Sequence, residues 1–275
     1  VSPADATAEL RAAFRRLHES GCFVIPNPWD PGSARWLERL GFKALATTSS
    51  GFAWSRGRAD HQVALAEMLE HLRQIAGSVG VPVSADLGAG FAIEPAAVAV
   101  NVAAAAATGI AGLSIEDGSG DAERPLFDFA LSVERVRAAR RAIDDGGTGL
   151  LLTARSEGFI VGRPDLKETI RRLTAFAEAG ADCLYAPGLK SKTEIAAVVE
   201  AVAPRPVNIL VGSGFTTVSE MAALGVRRIS VGGALARAAW GGFLEAAREI
   251  AERGLFTSLD RALPFDTINK TFESD

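Results

Sequence analysis

The stretch "VPVSADLGAGF", residues 81–91, decides the fold. Its first half is an apolar run without clean polar alternation, the pattern of a parallel strand covered on both faces. The run ends on Asp86, and Gly88 and Gly90 follow at once. A single carboxylate at a turn is ordinary. If several strands end this way, the turns describe a site where carboxylates and backbone meet a small anionic ligand. The glycines would then let the turn pass close to that ligand.

Seven other runs have the same character. They are 22–28, 44–50, 112–117, 149–157, 183–188, 206–212 and 227–233. Helical patterns lie between them. "PGSARWLERLG" follows Asp30, carries Pro31 at an early helical position and stops at Gly41. "RPDLKETIRRLTAFAEAGAD" puts Leu166, Ile170, Leu173 and Phe176 on one face and ends at Gly180. Eight strand–helix units without a Pro-, Ser- or charge-rich linker predict an α/β protein, a (β/α)8 TIM barrel, as one domain over 1–275. A doubly wound sheet is the competing architecture, but no GxGxxG follows the first strand. Residues 254–275 form an extension with no ninth strand. Its apolar residues Phe256, Leu263 and Phe265 are expected to pack on the barrel or on a neighbouring subunit.

The composition agrees. The chain has 275 residues, 48% hydrophobic and 23% charged, enough for a large core. Its net charge of −4 comes without a basic block, which argues against nucleic acid as a partner. The N-terminus reads as an amphipathic helix and no run reads as a membrane span, so a cytoplasmic protein is expected. Cys22 and Cys183 sit in apolar runs as small hydrophobes, without metal-ligand spacing.

In such barrels chemistry sits at the C-terminal ends of the strands. Those ends bring Asn27, Trp29 and Asp30; Thr47 to Gly51; Ser84 and Asp86; Ser114, Glu116 and Asp117; Thr153, Arg155 and Glu157; then Tyr185, Asn208 and Ser230. Residues two apart share a face and neighbouring strands lie about 5 Å apart, so Asp86 and Glu116 could bracket a hard cation such as Mg2+. Arg155 could hold a substrate carboxylate by a two-pronged hydrogen bond. The same three residues also suit a buried ion network that only holds the barrel together. His18 and His71 on helices, and His61 opening one, read as surface or helix-edge residues, so a His-based triad has poor support. Lys190, in a helix entry, is a weak Schiff-base candidate. The turns "VGSGF" and "VGGAL" could hold phosphate on backbone N–H groups or merely turn the chain.

Taken in order, "NPWDPGSARWLERLGFKALATTSSGFA", "VPVSADLGAGF", "GLSIEDGSGD" and "LLTARSEGF" resemble the isocitrate lyase / phosphoenolpyruvate mutase superfamily, from about residue 12 to 250. The resemblance implies a (β/α)8 barrel that assembles as a dimer or tetramer, with the last helix exchanged between subunits. It implies Mg2+, with Mn2+ as the alternative, and a small 2-oxo acid or its enolate, with C–C or C–P bonds made or broken beside the carbonyl. By the same resemblance Thr48, Ser49 and Ser50 cradle the substrate, Asp60 is an acid near the metal, Asp86 and Glu116 belong to the metal site, and Arg155 binds substrate. Trp29 and Asn208 are added as substrate contacts and Tyr185 as a proton donor.

The departures are specific. The first acid of the family's Asp-x-Asp on strand 3 is Ser84 here, which weakens metal binding. The lysine that mutases carry behind the acidic pair is Gly118. The lyase loop with its catalytic cysteine is replaced by "GSGDAERPLFD", whose candidates for proton transfer are Asp121, Glu123 and Arg124. The expected function is a metal-assisted C–C lyase or decarboxylase. A phosphonopyruvate-type mutase or hydrolase and a 2-oxo acid binding protein are the alternatives.

Overall fold

The computed structural model describes residues 3–273. Eight parallel strands, β1 (Phe23–Ile25), β2 (Leu45–Ala46), β3 (Val83–Asp86), β4 (Gly112–Glu116), β5 (Leu151–Arg155), β6 (Cys183–Tyr185), β7 (Val207–Leu210) and β8 (Arg228–Ser230), form one sheet. The sheet runs from β2 through β3 to β8 and then β1. Across the remaining seam, Ala46 N–H donates to the Pro26 carbonyl at 3.0 Å. The Asn27 amide donates to the Thr47 carbonyl, also at 3.0 Å. The result is a nearly closed (β/α)8 barrel with extra C-terminal helices.

The chain begins with α1 (Pro3–Leu17), and α2 (Pro31–Arg39) follows β1. After β2 come α3 (Ser49–Ser55) and α4 (Leu65–Ser78). The next five helices, α5 (Pro95–Ala106), α6 (Phe129–Asp145), α7 (Leu166–Glu178), α8 (Lys192–Val202) and α9 (Val218–Ala223), each follow one strand. The chain closes with α10 (Ala234–Arg253), a 3-10 turn at Thr257–Arg261 and α11 (Phe265–Phe272). Among the described residues no helix is long and apolar enough to cross a membrane. Both cysteines are free thiols.

The strands are shorter than the apolar runs that announce them. The run 44–50 yields only Leu45–Ala46. Thr48 instead caps α3, accepting from Gly51 N–H, so Ser49 and Ser50 are that helix's first turn. Hydroxyl residues satisfy orphan N–H groups at a helix start, and this outcompetes a strand ladder.

Helix α1 plugs the N-terminal end of the barrel. Its Phe14 is fully buried, and a Cβ on Gly112 would lie 2.6 Å from the Phe14 ring, so β4 must begin on glycine. Arg11 donates to the carbonyls of Ala106 (2.7 Å), Ile110 (3.0 Å) and Thr148 (3.1 Å), so a cation covers the negative end of α5.

Two histidine expectations are corrected. His18 is 7% exposed and His71 is 3% exposed, so neither is a surface residue. His18 sits edge-on between Phe14 and Phe23 under the barrel. His71 stacks on Phe52 at 3.8 Å. His61 does not open a helix; it lies exposed in the turn before α4, at φ 64°.

Candidate active site

A cavity of about 160 Å3 opens at the C-terminal ends of the strands. A barrel interior is normally filled by bulky branched side chains. Here the inward positions carry Ser84, Ser114, Asn208, Arg228 and Ser230, and these small or polar groups leave the space open. Thr48, Ser49, Ser50, Asp60, Asp86, Arg155, Tyr185 and Asn208 all line it, as the sequence led us to expect. Trp29 and Glu116 do not. Trp29 lies behind α3, where a Cβ on Gly51 would touch its own Cβ at 3.0 Å. Glu116 stands behind Arg155 and is 8% exposed.

Arg155 organises the acidic side of the site. Its Nη1 donates to Asp86 at 2.7 Å, its Nη2 meets Glu116 at 3.1 Å and its Nε donates to Glu157 at 2.9 Å. The guanidinium therefore fills the position between Asp86 and Glu116 that was expected to bracket a cation. Three of its five N–H groups serve the protein's own carboxylates, so it does not offer its whole fork to a substrate. Burial favours loss of its charge, but Glu157, Glu116 and Asp86 outweigh burial and raise its pKa well above the usual value.

The carboxylates divide. Burial pushes Glu116 up to about 8; Arg155 opposes this, while Glu157, Asp86 and Asp117 add to it. Burial also disfavours charge on Asp86, but Arg155 and the Ser49 and Gly88 N–H groups win and hold it below the ordinary range. Asp117, the second acid of strand 4, turns away from the cavity. It accepts from Glu157 N–H at 2.7 Å and pairs with Arg172 at 3.1 Å, and so positions the end of β5.

Tyr185, on the neighbouring strand with its ring 5.3 Å from the Arg155 guanidinium, ends a directional chain of hydrogen bonds. Arg228 Nε donates to Asn208 Oδ1 at 2.8 Å, and Asn208 Nδ2 donates to Ser230 Oγ at 3.0 Å. Ser230 Oγ then donates to the Tyr185 hydroxyl at 3.3 Å. The tyrosine oxygen accepts, so its own hydrogen is left for the cavity. Burial pushes the Tyr185 pKa up to about 12, so this group gives a proton and does not act as a base at neutral pH. Asn208 is fully buried and spent on this chain.

The turn after β3 is held from outside. Arg135, fully buried on α6, donates to the carbonyls of Ala89, Ala92 and Ile93, and Asn101 donates to the Gly90 carbonyl at 2.8 Å. Gly88 and Gly90 have φ of 52° and 72°. A Cβ on Gly90 would lie 3.2 Å from Ile115 and Val98, so this glycine meets the core and not a ligand. The loop candidates are corrected too. Asp121, Glu123 and Arg124 do not line the cavity; Asp121 accepts from the Glu123 and Arg124 N–H groups within their own exposed turn. Lys190 is exposed and outside the cavity. Of the two glycine turns only Gly232 and Gly233 reach it.

Sequence reading passed over Arg228, which lies one pleat deeper than Ser230 on β8. A basic residue inside an otherwise apolar strand was the available signal. Glu157 was noted only as a strand end, although residues two apart share a face, which was the available signal for its pairing with Arg155.

Among the described residues no three His, Cys, Asp or Glu side chains converge as a metal cage. A magnesium-type ion needs only one or two carboxylates with water and substrate oxygens. Asp60 and Asp86 both face the cavity, and the acids around Arg155 outnumber it. The donor set therefore suits a hydrated divalent ion held largely through water.

Residues 14–251 match the sequence profile of phosphoenolpyruvate phosphomutase. A crystal structure from Burkholderia cenocepacia J2315, provisionally designated a lyase/mutase, is 48% identical, superposes with a TM-score of 0.95 and covers 98% of both chains. Oxaloacetate acetylhydrolase with its product oxalate is 28% identical with a TM-score of 0.85, covering 96% of this chain and 94% of that one. The oxaloacetate decarboxylase of Pseudomonas aeruginosa is 30% identical over 202 residues, 70% of this chain and 68% of that enzyme. Members of the superfamily generally use a divalent metal. The chain belongs to the phosphoenolpyruvate phosphomutase family, as a lyase-type enzyme of the phosphoenolpyruvate mutase / isocitrate lyase superfamily.

Proposed function

We propose that the protein cleaves a C–C bond next to the carbonyl of a small 2-oxo acid, as a decarboxylase or retro-aldol lyase, with Mg2+ or Mn2+ as cofactor. The observation that carries this reading is the cavity itself: Arg155 set among Asp86, Glu116 and Glu157, and beside it Tyr185 presenting a hydroxyl hydrogen. The relatives that act on oxaloacetate support the substrate class.

In this reading Thr48, Ser49 and Ser50 receive the substrate carboxylate and 2-oxo group. Asp60 and Asp86 would hold a hydrated ion, and Glu116 and Glu157 set the charge of Arg155. When bound, the ion supplies positive charge that stabilises the developing enolate. The bond to the leaving carbon breaks and its electron pair moves toward the 2-oxo oxygen. The two uncommitted N–H groups of Arg155 face that charge. Tyr185 then delivers a proton to C3, and water restores its hydrogen.

The test is an assay of purified protein on oxaloacetate with and without Mg2+, separating pyruvate from oxalate plus acetate. Metal-dependent turnover to pyruvate supports the reading; oxalate plus acetate, which needs water added at C2, would mark a hydrolase and overturn the enolate route. No turnover and no binding of any 2-oxo acid would sink it.

Oligomerisation is part of the proposal. Only Ala236 and Glu249 of α10 are buried, while Trp240, Phe243, Leu244 and Ile250 are exposed. A contiguous apolar face of this kind marks an interaction surface. A second copy of this chain is the occupant that the family resemblance favours. Light scattering at a dimer or tetramer mass supports this, and a monomer would refute it.

A further inference from the structure

Arg228 is 4% exposed and lines the cavity, yet among the described residues no carboxylate pairs with it. Its three contacts are all neutral: Asn208 Oδ1 at 2.8 Å, Thr153 Oγ1 at 3.0 Å and His18 Nε2 at 3.3 Å. The histidine is neutral by geometry, because Nδ1 lies 2.8 Å from the Phe14 carbonyl and must carry the hydrogen, which leaves the Nε2 lone pair for Arg228. Burial, reinforced by Arg228, also lowers the His18 pKa to about 3. Two of the five guanidinium N–H groups stay uncommitted. A buried charge without a counter-ion is costly, and proteins ordinarily pair it. Here the unpaired cation faces open space, while the other arginine of the cavity is surrounded by acids.

We propose that Arg228 receives the second anionic group of a dianionic 2-oxo acid, a carboxylate or phosphonate on C3, and thereby selects dianions over pyruvate-like monoanions. The inference rests on the 2-oxo acid reading above and goes beyond it by assigning the distal end of the ligand. It follows from charge balance: the acid-rich wall matches a divalent cation, and the lone cation matches the remaining negative end of the ligand.

The test is calorimetric binding to the Mg2+-loaded protein of pyruvate, 3,3-difluorooxaloacetate, its 4-methyl ester and 3-phosphonopyruvate. The difluoro compound has no C3 hydrogens, and the ester neutralises only the distal end. Wild type should bind the diacid about 10- to 100-fold tighter than the ester or pyruvate, the worth of a charged hydrogen-bonded pair. Arg228→Gln should bring these affinities to within about threefold of one another while pyruvate binding holds, and Arg228→Lys should recover part of the preference. The diacid and phosphonopyruvate arms tell a carboxylate from a phosphonate end. Equal wild-type affinity for diacid and ester would overturn the assignment even if no Arg228 variant folds. Parallel weakening of every ligand in Arg228→Gln would also overturn it, as the mark of a merely structural role. If pyruvate binds without any preference for dianions, only this inference fails. If none of the four ligands binds, the 2-oxo acid reading falls as well.

Discussion

Arg155 on β5 and Arg228 on β8 both point into the barrel, and their surroundings are opposite. Arg155 meets three carboxylates within 3.1 Å. Arg228 meets an amide, a hydroxyl and a neutral imidazole. The first is over-neutralised by its own chain and leaves surplus negative charge on that wall. The second is under-neutralised and leaves positive charge at depth. One cavity thus carries a cation-seeking wall and an anion-seeking floor, as a metal-assisted site for an acid requires.

The strongest way to break this contrast is Arg155→Met. It removes the cation shared by Asp86, Glu116 and Glu157, so unfolding in urea should show a loss of about 3–5 kcal/mol, and turnover of oxaloacetate should vanish. A loss under about 1 kcal/mol would mean that the acids do not depend on Arg155. Tyr185→Phe probes the chain that links the two sides. It should lower turnover about 100-fold in a steady-state assay while ligand affinity stays put.

His18 sharpens the contrast from below. Its folded pKa of about 3 lies under the unfolded value of 6.5. Between those values the unfolded chain binds the extra proton, so stability rises with pH through this window and is lost as pH falls below 6.5. At pH 5 the loss is about 2 kcal/mol, and His18→Gln should remove it in denaturation series at pH 7 and pH 5. An unchanged acid-side slope would show that His18 is not held neutral under Arg228. The smallest effect is expected from Thr153→Val. Removing one neutral acceptor should cost about 1 kcal/mol by thermal unfolding, far below the Arg155 substitution. Equality of the two would erase the difference between them.

Much of this was legible in the residues. The eight apolar runs each contain a strand, because a strand covered on both faces lacks the clean polar alternation of a half-exposed one. Asp86, Arg155, Tyr185 and the Thr48–Ser50 turn reach one cavity because ligands sit where barrel strands end. Other features were not legible. Trp29 and Glu116 sit at the right chain positions but point elsewhere, and a strand-end rule carries no side-chain direction. His18 and His71 follow helical spacing, which does not tell a core face from a plug beneath a barrel.

By itself the sequence determined the order of strands and helices, the barrel and the set of polar groups at its mouth, since each depends on local pattern and on the alternation of side chains. Only the tertiary structure decided which charges neutralise one another. Arg155 finds Asp86 sixty-nine residues away, whereas Arg228 finds His18 at a separation of 210 and, among the described residues, no acid. Closing the barrel is what brings such distant strands face to face, and a charge keeps or loses its partner only at that step.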